Sequence, residues 1–348
     1  MIYDAIIVGH GLAGSVLSHS FLERQLKVFV IDKPSPQSSS SVAAGLFNPI
    51  TGRRVVKSWL AEELLPFANK FYQNAENSFG AKFLNTMDVL EFIYTVKDEN
   101  EWMHRMHSEN MKSFLSEFPE TELYRNKIRD YRKIFRINSS GWLNIPHFIS
   151  LCRNALLANS CLDEAIFNPD SFKPGPLVNY NGIQARRIVF CEGIRCLNNP
   201  LWSYLPMVPA KGEILKIRCQ DLPEKYILLS GLFLIPLNEN HFRIGATFEW
   251  NYENENPTEG GKKKLVEKLD SILKVPYEVI AHSAGIRPTV KDRRPLVGRH
   301  PDFENVFIFN GLGTKGVQLS PYFANQLINF MLGNGKIHPE ADVNRFKK

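Results

Sequence analysis

Three glycines, Gly9, Gly11 and Gly14, followed eighteen residues later by Asp32, have the types and spacing to hold a dinucleotide. The first glycine suits a tight turn, the second lets a backbone approach a pyrophosphate, and the third lets a helix pack closely on a strand. The free N–H groups and positive dipole end of a helix opening there would face the phosphates. Asp32, with Lys33 beside it, stands where ribose hydroxyls would donate hydrogen bonds. The surrounding pattern supplies the elements such a site needs. IYDAIIV (2–8) is a short apolar run suited to a buried parallel strand, and from Ala13 the apolar spacing turns helical through Val16, Leu17 and Phe21. KVFVID (27–32) is a second strand ending in the acid, so strand, glycine turn, helix and strand follow in order. The acid disfavours NADP and leaves NAD and FAD open.

A second chemical signal lies near the other end. VFIFN (306–310) reads as a buried strand running into Gly311, Gly313 and Gly316. A helix is expected after it, with Ser320 as N-cap, Pro321 at the first helical position and Gly333 past its end. A nicotinamide enzyme has no use for this second helix N-terminus. In a flavoprotein its positive end can sit near the flavin N1–C2=O edge and stabilise the anionic reduced ring. After Asp32, a Pro/Ser loop (34–41) runs into AAG (43–45), small residues that suit a backbone lying close to a flat ring.

Further along, helices are expected over 59–75 and much of 98–118, with a strand in MDVLEFIYTV (87–96) between them. RRIVFCEG (186–193) reads as a return to the parallel sheet. VPAKGEILKIRC, KYILLSGLFLIPL and HFRIGATFEW read as an antiparallel meander, and KKK (262–264) as the start of an amphipathic helix. His104 and His107 have no third ligand in view and read as a solvated helix face, so no metal site is expected. Arg53, Arg54 and Lys57 could meet an acidic substrate or form a basic helix start. His10, between the first two glycines, reads only as part of an exposed turn.

The 348 residues suffice for two cores, and 44% hydrophobic with 22% charged residues is ordinary for a globular protein. A net charge of +6 is too mild to make nucleic acid the default partner. Five cysteines without a CxxC pair argue against a disulfide framework or zinc site and fit a reducing compartment. The first apolar run is too short for a secretory leader and no run is long enough to span a bilayer, so a cytoplasmic location is expected.

With these residues in view, the chain resembles the D-amino acid oxidase superfamily of FAD-dependent amine oxidoreductases, particularly glycine oxidase and the small subunit of D-amino acid dehydrogenase. The blocks that carry the resemblance are VGHGLAG with Asp32, SSSSVAAG (38–45), PAKGEIL (209–215), GATFEW (245–250), and AGIRPTVKDRRPLVGRHP (284–301) with the turn at 311–321. It implies an α/β fold: a Rossmann-like FAD-binding domain (1–59, 139–205, 285–348) interleaved with an α+β substrate domain (60–138, 206–284) carrying an antiparallel sheet. It implies non-covalent FAD, since no cysteine follows residue 219. Cofactor contacts would come from Gly9, Gly11, Gly14, Asp32, Lys33, Ser40, Ser41, Ala43, Ala44 and Gly45. Further contacts would come from Gly193, Gly285, Gly311, Gly313, Thr314, Lys315, Gly316 and Val317.

The family's chemistry oxidises a C–N bond. A neutral amine presents its Cα–H to flavin N5, hydride moves to the flavin, and the imine hydrolyses, with O2 or a quinone-type compound as acceptor. Arg287 matches the family's carboxylate clamp, for which a guanidinium offers two parallel hydrogen bonds; a structural pair with Asp292 is the alternative. Two positions depart from glycine oxidase. Thr314, with Lys315 beside it, stands where that enzyme has a second arginine, and Phe233 stands where it has a substrate-contacting tyrosine, leaving a substrate other than glycine open. Arg287, Phe233 and Lys315 are therefore the residues expected at the substrate. Two other readings remain. GWLNIP (141–146) echoes the flavin domain of the bifunctional tRNA wobble-uridine enzyme, which oxidises a carboxymethylaminomethyl group, and is the one reading with a nucleic-acid partner. The other is a flavin-binding protein without turnover.

Overall fold

The computed structural model describes residues 1–51, 55–119 and 122–347. The chain divides into two units that alternate along the sequence: Met1–Ala43, Ile145–Ala210 and Ile286–Lys348 form the first, Ala44–Asn144 and Lys211–Gly285 the second. Residues 44–51, 55–59 and 139–144, grouped with the first domain on sequence grounds, lie in the second unit, and 206–210, grouped with the second domain, lie in the first. The short strand Leu46–Phe47 pairs with Gly141 and Trp142, so those two segments go together.

The first unit is built on a six-stranded sheet. Its strands are β1 (Ala5–Val8), β2 (Val28–Ile31), β3 (Leu162–Asp163), β4 (Ile188–Phe190), β5 (Leu296–Arg299) and β6 (Val306–Asn310), in spatial order β3-β2-β1-β4-β6-β5. Every neighbouring pair is parallel except β5–β6. Fully buried runs such as AIIV and VFIFN, apolar but for Asn310, fit this, because a parallel sheet is covered on both faces. One face is covered by helices: α1 (Leu12–Leu22) packs on α2 (Ile145–Ala158) and α3 (Gly316–Met331). On the other, Val178, Tyr180 and Ala185 of a four-stranded sheet join Ile6, Val8, Ile188 and Phe190 in one core. The run 2–8 is not one strand. Ile2–Tyr3 pairs with Gln184–Ala185 in the smaller sheet, and the break falls at Asp4, whose carboxylate accepts from the Lys27 N–H at 2.8 Å.

The second unit centres on an eight-stranded sheet ordered Glu278–Arg287, Ala210–Arg218, His241–Gly245, Phe233–Pro236, Ile227–Leu229, Val89–Ile93, Lys133–Ile137, Leu115–Glu117. Side chains alternate between two cores. Leu90, Phe92, Leu228, Leu234 and Ile244 belong to one, and Val89, Ile93, Ile227 and Ile235 to the other. On the first face packs the helix Glu259–Asp270 through Leu265 and Leu269, its N-terminus capped by Thr258 Oγ1. The helix expected over much of 98–118 is Val96–Met106 alone, and Leu115–Glu117 is a strand, because Leu115 pairs with Ile137 at the sheet edge.

Candidate cofactor and substrate site

In the first unit the three leading glycines are forced by space. Gly9 has φ +92°, and a Cβ there would stand 2.6 Å from the Cys191 carbonyl oxygen. At Gly11 it would stand 2.9 Å from Ser40 Oγ, and at Gly14 it would collide with the carbonyl of Gly9. Ser40 Oγ also accepts the Leu12 N–H at 2.9 Å, so the serine loop reaches the first turn of α1. Ser41 instead hydrogen-bonds within its own turn, to Ser38 Oγ and the Ser35 carbonyl, and is exposed, as is Lys33.

Asp32 sits at the end of β2. Its Oδ1 accepts the His10 N–H at 2.9 Å and its Oδ2 accepts from Arg153 Nη1 at 2.9 Å. Arg153, on α2, also holds Glu164 at 2.6 Å, so the acid is oriented from a helix 121 residues away. Two lone-pair sites remain for a ribose hydroxyl. His10 is not in an exposed turn: it is 2% exposed, with Nε2 3.2 Å from Ser18 Oγ and Nδ1 3.3 Å from Ser15 Oγ. Burial, and then the charge of Arg153, push its imidazole down to about 3, so it is a neutral packing group inside the turn.

The second glycine turn meets the first. A Cβ on Gly316 would lie 3.2 Å from Leu12 Cδ2, and α1 and α3 pack along each other. Asn310 ties in a third turn: its Nδ2 donates to the Gly193 carbonyl at 2.9 Å while its Oδ1 accepts the Gly311 N–H at 2.9 Å. Helix α3 starts at Gly316, with Lys315 as its cap, rather than at Ser320. A 3-10 turn over Gly313–Lys315 feeds the helix directly, which leaves Ser320 and Pro321 inside it; Gly333, at φ +79°, follows its end as expected. Thr314 is exposed and Val317 buried.

Arg287 belongs to this same cluster. The segment it opens lies against the second glycine turn, with the Gly313 N–H donating to the Pro288 carbonyl at 3.3 Å and a Gly311 Cβ leaving no room beside Val290. The Val208 N–H donates to the Thr289 carbonyl at 2.8 Å and holds the segment from behind. Asp292 is taken by Arg345 at 2.8 Å, so the structural pair offered as the alternative for Arg287 goes to another arginine. Burial pushes the guanidinium of Arg287 downward and the ammonium of Lys315 down to about 8. Both are cations in a setting that favours an anionic partner.

Sequence reasoning missed Arg153 and also Glu192. The Cα of Glu192 would lie 3.2 Å from a Gly9 Cβ, and its carboxyl accepts from Asn199 Nδ2 at 2.7 Å. Burial pushes it up to about 7. No local pattern marks either residue.

Ala44, Gly45, Phe233 and Gly285 lie in the second unit. Gly45, at φ +76°, is pressed against the backbone of Leu143, which accounts for its size. Phe233 pairs with Gly245, and its ring would stand 2.8 Å from a Cβ there. Arg243 Nη1 donates to the Ala44 carbonyl at 3.1 Å. Lys57 is paired with Glu62, while Arg53 and Arg54 lie outside the described residues. Among the described residues, no group of three potential metal ligands comes together and no helix is long and apolar enough to cross a membrane.

The geometry fits a dinucleotide with a second helix N-terminus in attendance: glycines where any Cβ would clash, at the C-terminal ends of parallel strands. The comparisons agree. A profile described as FAD dependent oxidoreductase matches residues 4–329. Glycine oxidase of Geobacillus kaustophilus is 24% identical over 92% of this chain and 90% of its own length. Its crystal structure superposes with a TM-score of 0.79 at 19% identity, covering 99% of this chain and 97% of that one. Glycine oxidase of Pseudomonas aeruginosa is 29% identical over 40% of each protein, so that match spans less than half of either. The bifunctional tRNA 5-methylaminomethyl-2-thiouridine biosynthesis protein of Marinobacter nauticus is 21% identical over 92% of this chain and 54% of its own length.

Proposed function

Because the chain belongs to the FAD-dependent oxidoreductase family and is an FAD-dependent oxidoreductase, we propose that it oxidises the C–N bond of an amino acid or related amine, with Arg287 as the carboxylate clamp. FAD, when bound, supplies the two-electron acceptor for that bond. Gly9, Gly11, Gly14 and Ser40 shape the turn for its pyrophosphate, Asp32 takes a ribose hydroxyl, and the Gly311–Gly316 turn supplies helix N–H groups, all without a covalent bond. The observation that carries the reading is Arg287 itself, half-buried on a segment held to the second glycine turn and to Val208. A desolvated guanidinium on a fixed backbone binds a carboxylate bidentately and with a defined orientation. Lys315, also depressed by burial, is itself the cap of α3 and adds positive charge there. Phe233 packs on the substrate and offers no O–H donor. No side chain is required as acid or base, since a neutral amine needs only to be oriented.

The tRNA reading leans on Gly141 and Trp142, which serve packing in this chain. A Cβ at Gly141 would stand 2.7 Å from the Phe47 ring, and Trp142 is a core residue of the second unit. The test is anaerobic mixing of the FAD-loaded protein with glycine, sarcosine, D- and L-amino acids, D-proline and tRNA bearing carboxymethylaminomethyl-uridine. Bleaching of the flavin by a small amine supports the proposal. Bleaching by the tRNA alone, or by none, overturns it, the last outcome favouring the non-catalytic role. Readmitting air then separates an O2-using oxidase from a dehydrogenase with a quinone-type acceptor.

A further inference from the structure

The parallel sheet of the first unit has a second recess, at the end opposite its glycine turns. Gly193 and Gly311 follow β4 and β6, whereas Arg187 and Asn305, which line the recess, precede those strands. Asn305 and Gly311 bracket β6, so the recess and the second glycine turn lie about 20 Å apart at the usual strand rise. The cleft has a volume of about 810 Å3, within the range of small-molecule sites. Its floor is aromatic. Val306 and Ile308 turn to the core shared with the smaller sheet, so Phe307 faces α3, where its ring centroid is 6.4 Å from that of Phe330. Arg299 is the register partner of Phe307 and shares that face. Arg187, on the other side of β6, reaches the same face, its Nη2 donating to the Met331 carbonyl at the end of α3 at 2.6 Å. That bond uses one of five guanidinium N–H groups. Among the described residues, no ion pair reaches the guanidinium of Arg187 or of Arg299, whereas Arg186 lies 3.6 Å from Asp4. The acids of the cleft, Asp302 and Glu304, are exposed members of the turn between β5 and β6. A further wall is the loop 174–177, fixed by Asn305 Nδ2 donating to the Gly175 carbonyl at 2.6 Å.

Two guanidiniums thus flank an aromatic floor from either side of one strand, and their forks match the oxygens of a phosphate or carboxylate. We propose that this cleft is a second ligand site, taking a small molecule that joins a phosphate or carboxylate to a flat apolar body. Arg187 and Arg299 receive the anion, and Phe330 and Leu177 pack on the body. Asp302 and Glu304, exposed to water at the rim, are screened and oppose the anion only weakly. The site stands apart from the cofactor turns, so FAD and this ligand can be bound together. It does not depend on the amine-oxidation reading.

The test titrates 1-naphthyl phosphate into the FAD-loaded protein by calorimetry, with the cofactor turns already filled. Inorganic phosphate supplies the anion without the ring, and 1-naphthol the ring without the anion. The whole probe is expected to bind one per chain, about tenfold or more tighter than either fragment. Arg299 is exposed, so Arg299→Gln should keep flavin content and Tm while weakening the probe about tenfold or more. Arg187→Lys keeps a donor for the Met331 carbonyl but loses the planar fork, and should also weaken binding. Glu304→Gln removes an anion from the rim and should leave binding equal or tighter. Repeating the titration with 1-naphthoate shows which anion the site prefers, and dependence on Arg299 supports the site with either. No saturable binding, 1-naphthol binding as tightly as its phosphate, or an affinity unmoved by Arg299→Gln overturns the inference. Weaker binding in Glu304→Gln overturns the assignment of an anion as the ligand.

Discussion

Replacing Gly9 with Ala tests the cofactor turn most directly. Two costs can be worked from the structure. The backbone there has φ +92°, a region an L side chain enters at about 1–2 kcal/mol. The new Cβ would stand 2.6 Å from the Cys191 oxygen, 2.9 Å from its carbon and 3.2 Å from the Glu192 Cα. All three are backbone atoms of the turn after β4, which pairs with β1 through Val189–Ile7 and Phe190–Val8 and cannot swing aside. Relief requires roughly half an ångström of separation between two parallel strands, an overpacking cost of about 1–3 kcal/mol. The sum is about 2–5 kcal/mol in stability. The turn that shifts is the one expected to face the pyrophosphate, so FAD affinity should fall about tenfold or more. Urea unfolding of the apoprotein and FAD fluorescence titration measure the two effects separately. Gly260→Ala is the control, since a Cβ there meets nothing within 4 Å. Placed in the first turn of the helix Glu259–Asp270, it should be neutral or stabilising by about 0.5–1 kcal/mol. A Gly9→Ala protein with an unchanged urea midpoint and FAD affinity within twofold of wild type would refute the reasoning.

Two other substitutions have signed outcomes. Glu213 is 1% exposed and accepts from Thr258 N at 3.1 Å, Thr258 Oγ1 at 2.9 Å and His282 Nε2 at 2.7 Å, with the buried Lys211 ammonium 3.4 Å away. Glu213→Ala strands that ammonium and removes the carboxylate that holds the Thr258 cap of the helix Glu259–Asp270, so it should cost about 3–5 kcal/mol by urea unfolding; a loss under 1 kcal/mol would contradict the assignment. Glu192 titrates near 7 in the folded chain against a reference of 4.5, chiefly through burial. The native state therefore binds its proton more tightly, and the stability this contributes is full below pH 4.5 and lost as pH rises through 7. Two and a half pH units correspond to about 3 kcal/mol, less what solvent screens. Glu192→Gln should flatten that part of the wild-type stability curve and, by removing an anion beside Gly9, hold FAD better above pH 7. Parallel wild-type and variant curves between pH 4.5 and 7 would count against it.

What could be read from the residues follows a physical division. Gly9, Gly11, Gly14 and Asp32 fall within one βαβ unit, where spacing alone determines neighbours, and the structure puts those glycines where a Cβ would clash. VFIFN before Gly311 was legible for the same reason. Arg153 was not, because only the packing of α2 beside α1 brings it to Asp32, and no local pattern records a contact over 121 residues. The burial of His10 depends on Ser15 and Ser18, one and two turns into α1, and reads from sequence as a polar stretch. The start of α3 was misplaced because Ser320–Pro321 has the composition of a helix start. A 3-10 turn had already begun the helix at the preceding glycines.

The same division explains why cofactor and substrate differ in legibility. A dinucleotide is held largely by backbone groups, and the demand on sequence is that certain positions have no side chain; glycine alone meets it, so the requirement is visible. A substrate is chosen by side chains on a sheet face, where a residue that contacts ligand and one that fills a core obey the same alternation. Phe233 illustrates the point: in sequence it is one more aromatic in a β-rich run, and its difference from its neighbours is that Gly245 opposite it leaves the ring room. Under the proposed reading, departures from the family pattern rather than agreement with it carry the information about substrate, and those departures are Phe233 and Thr314.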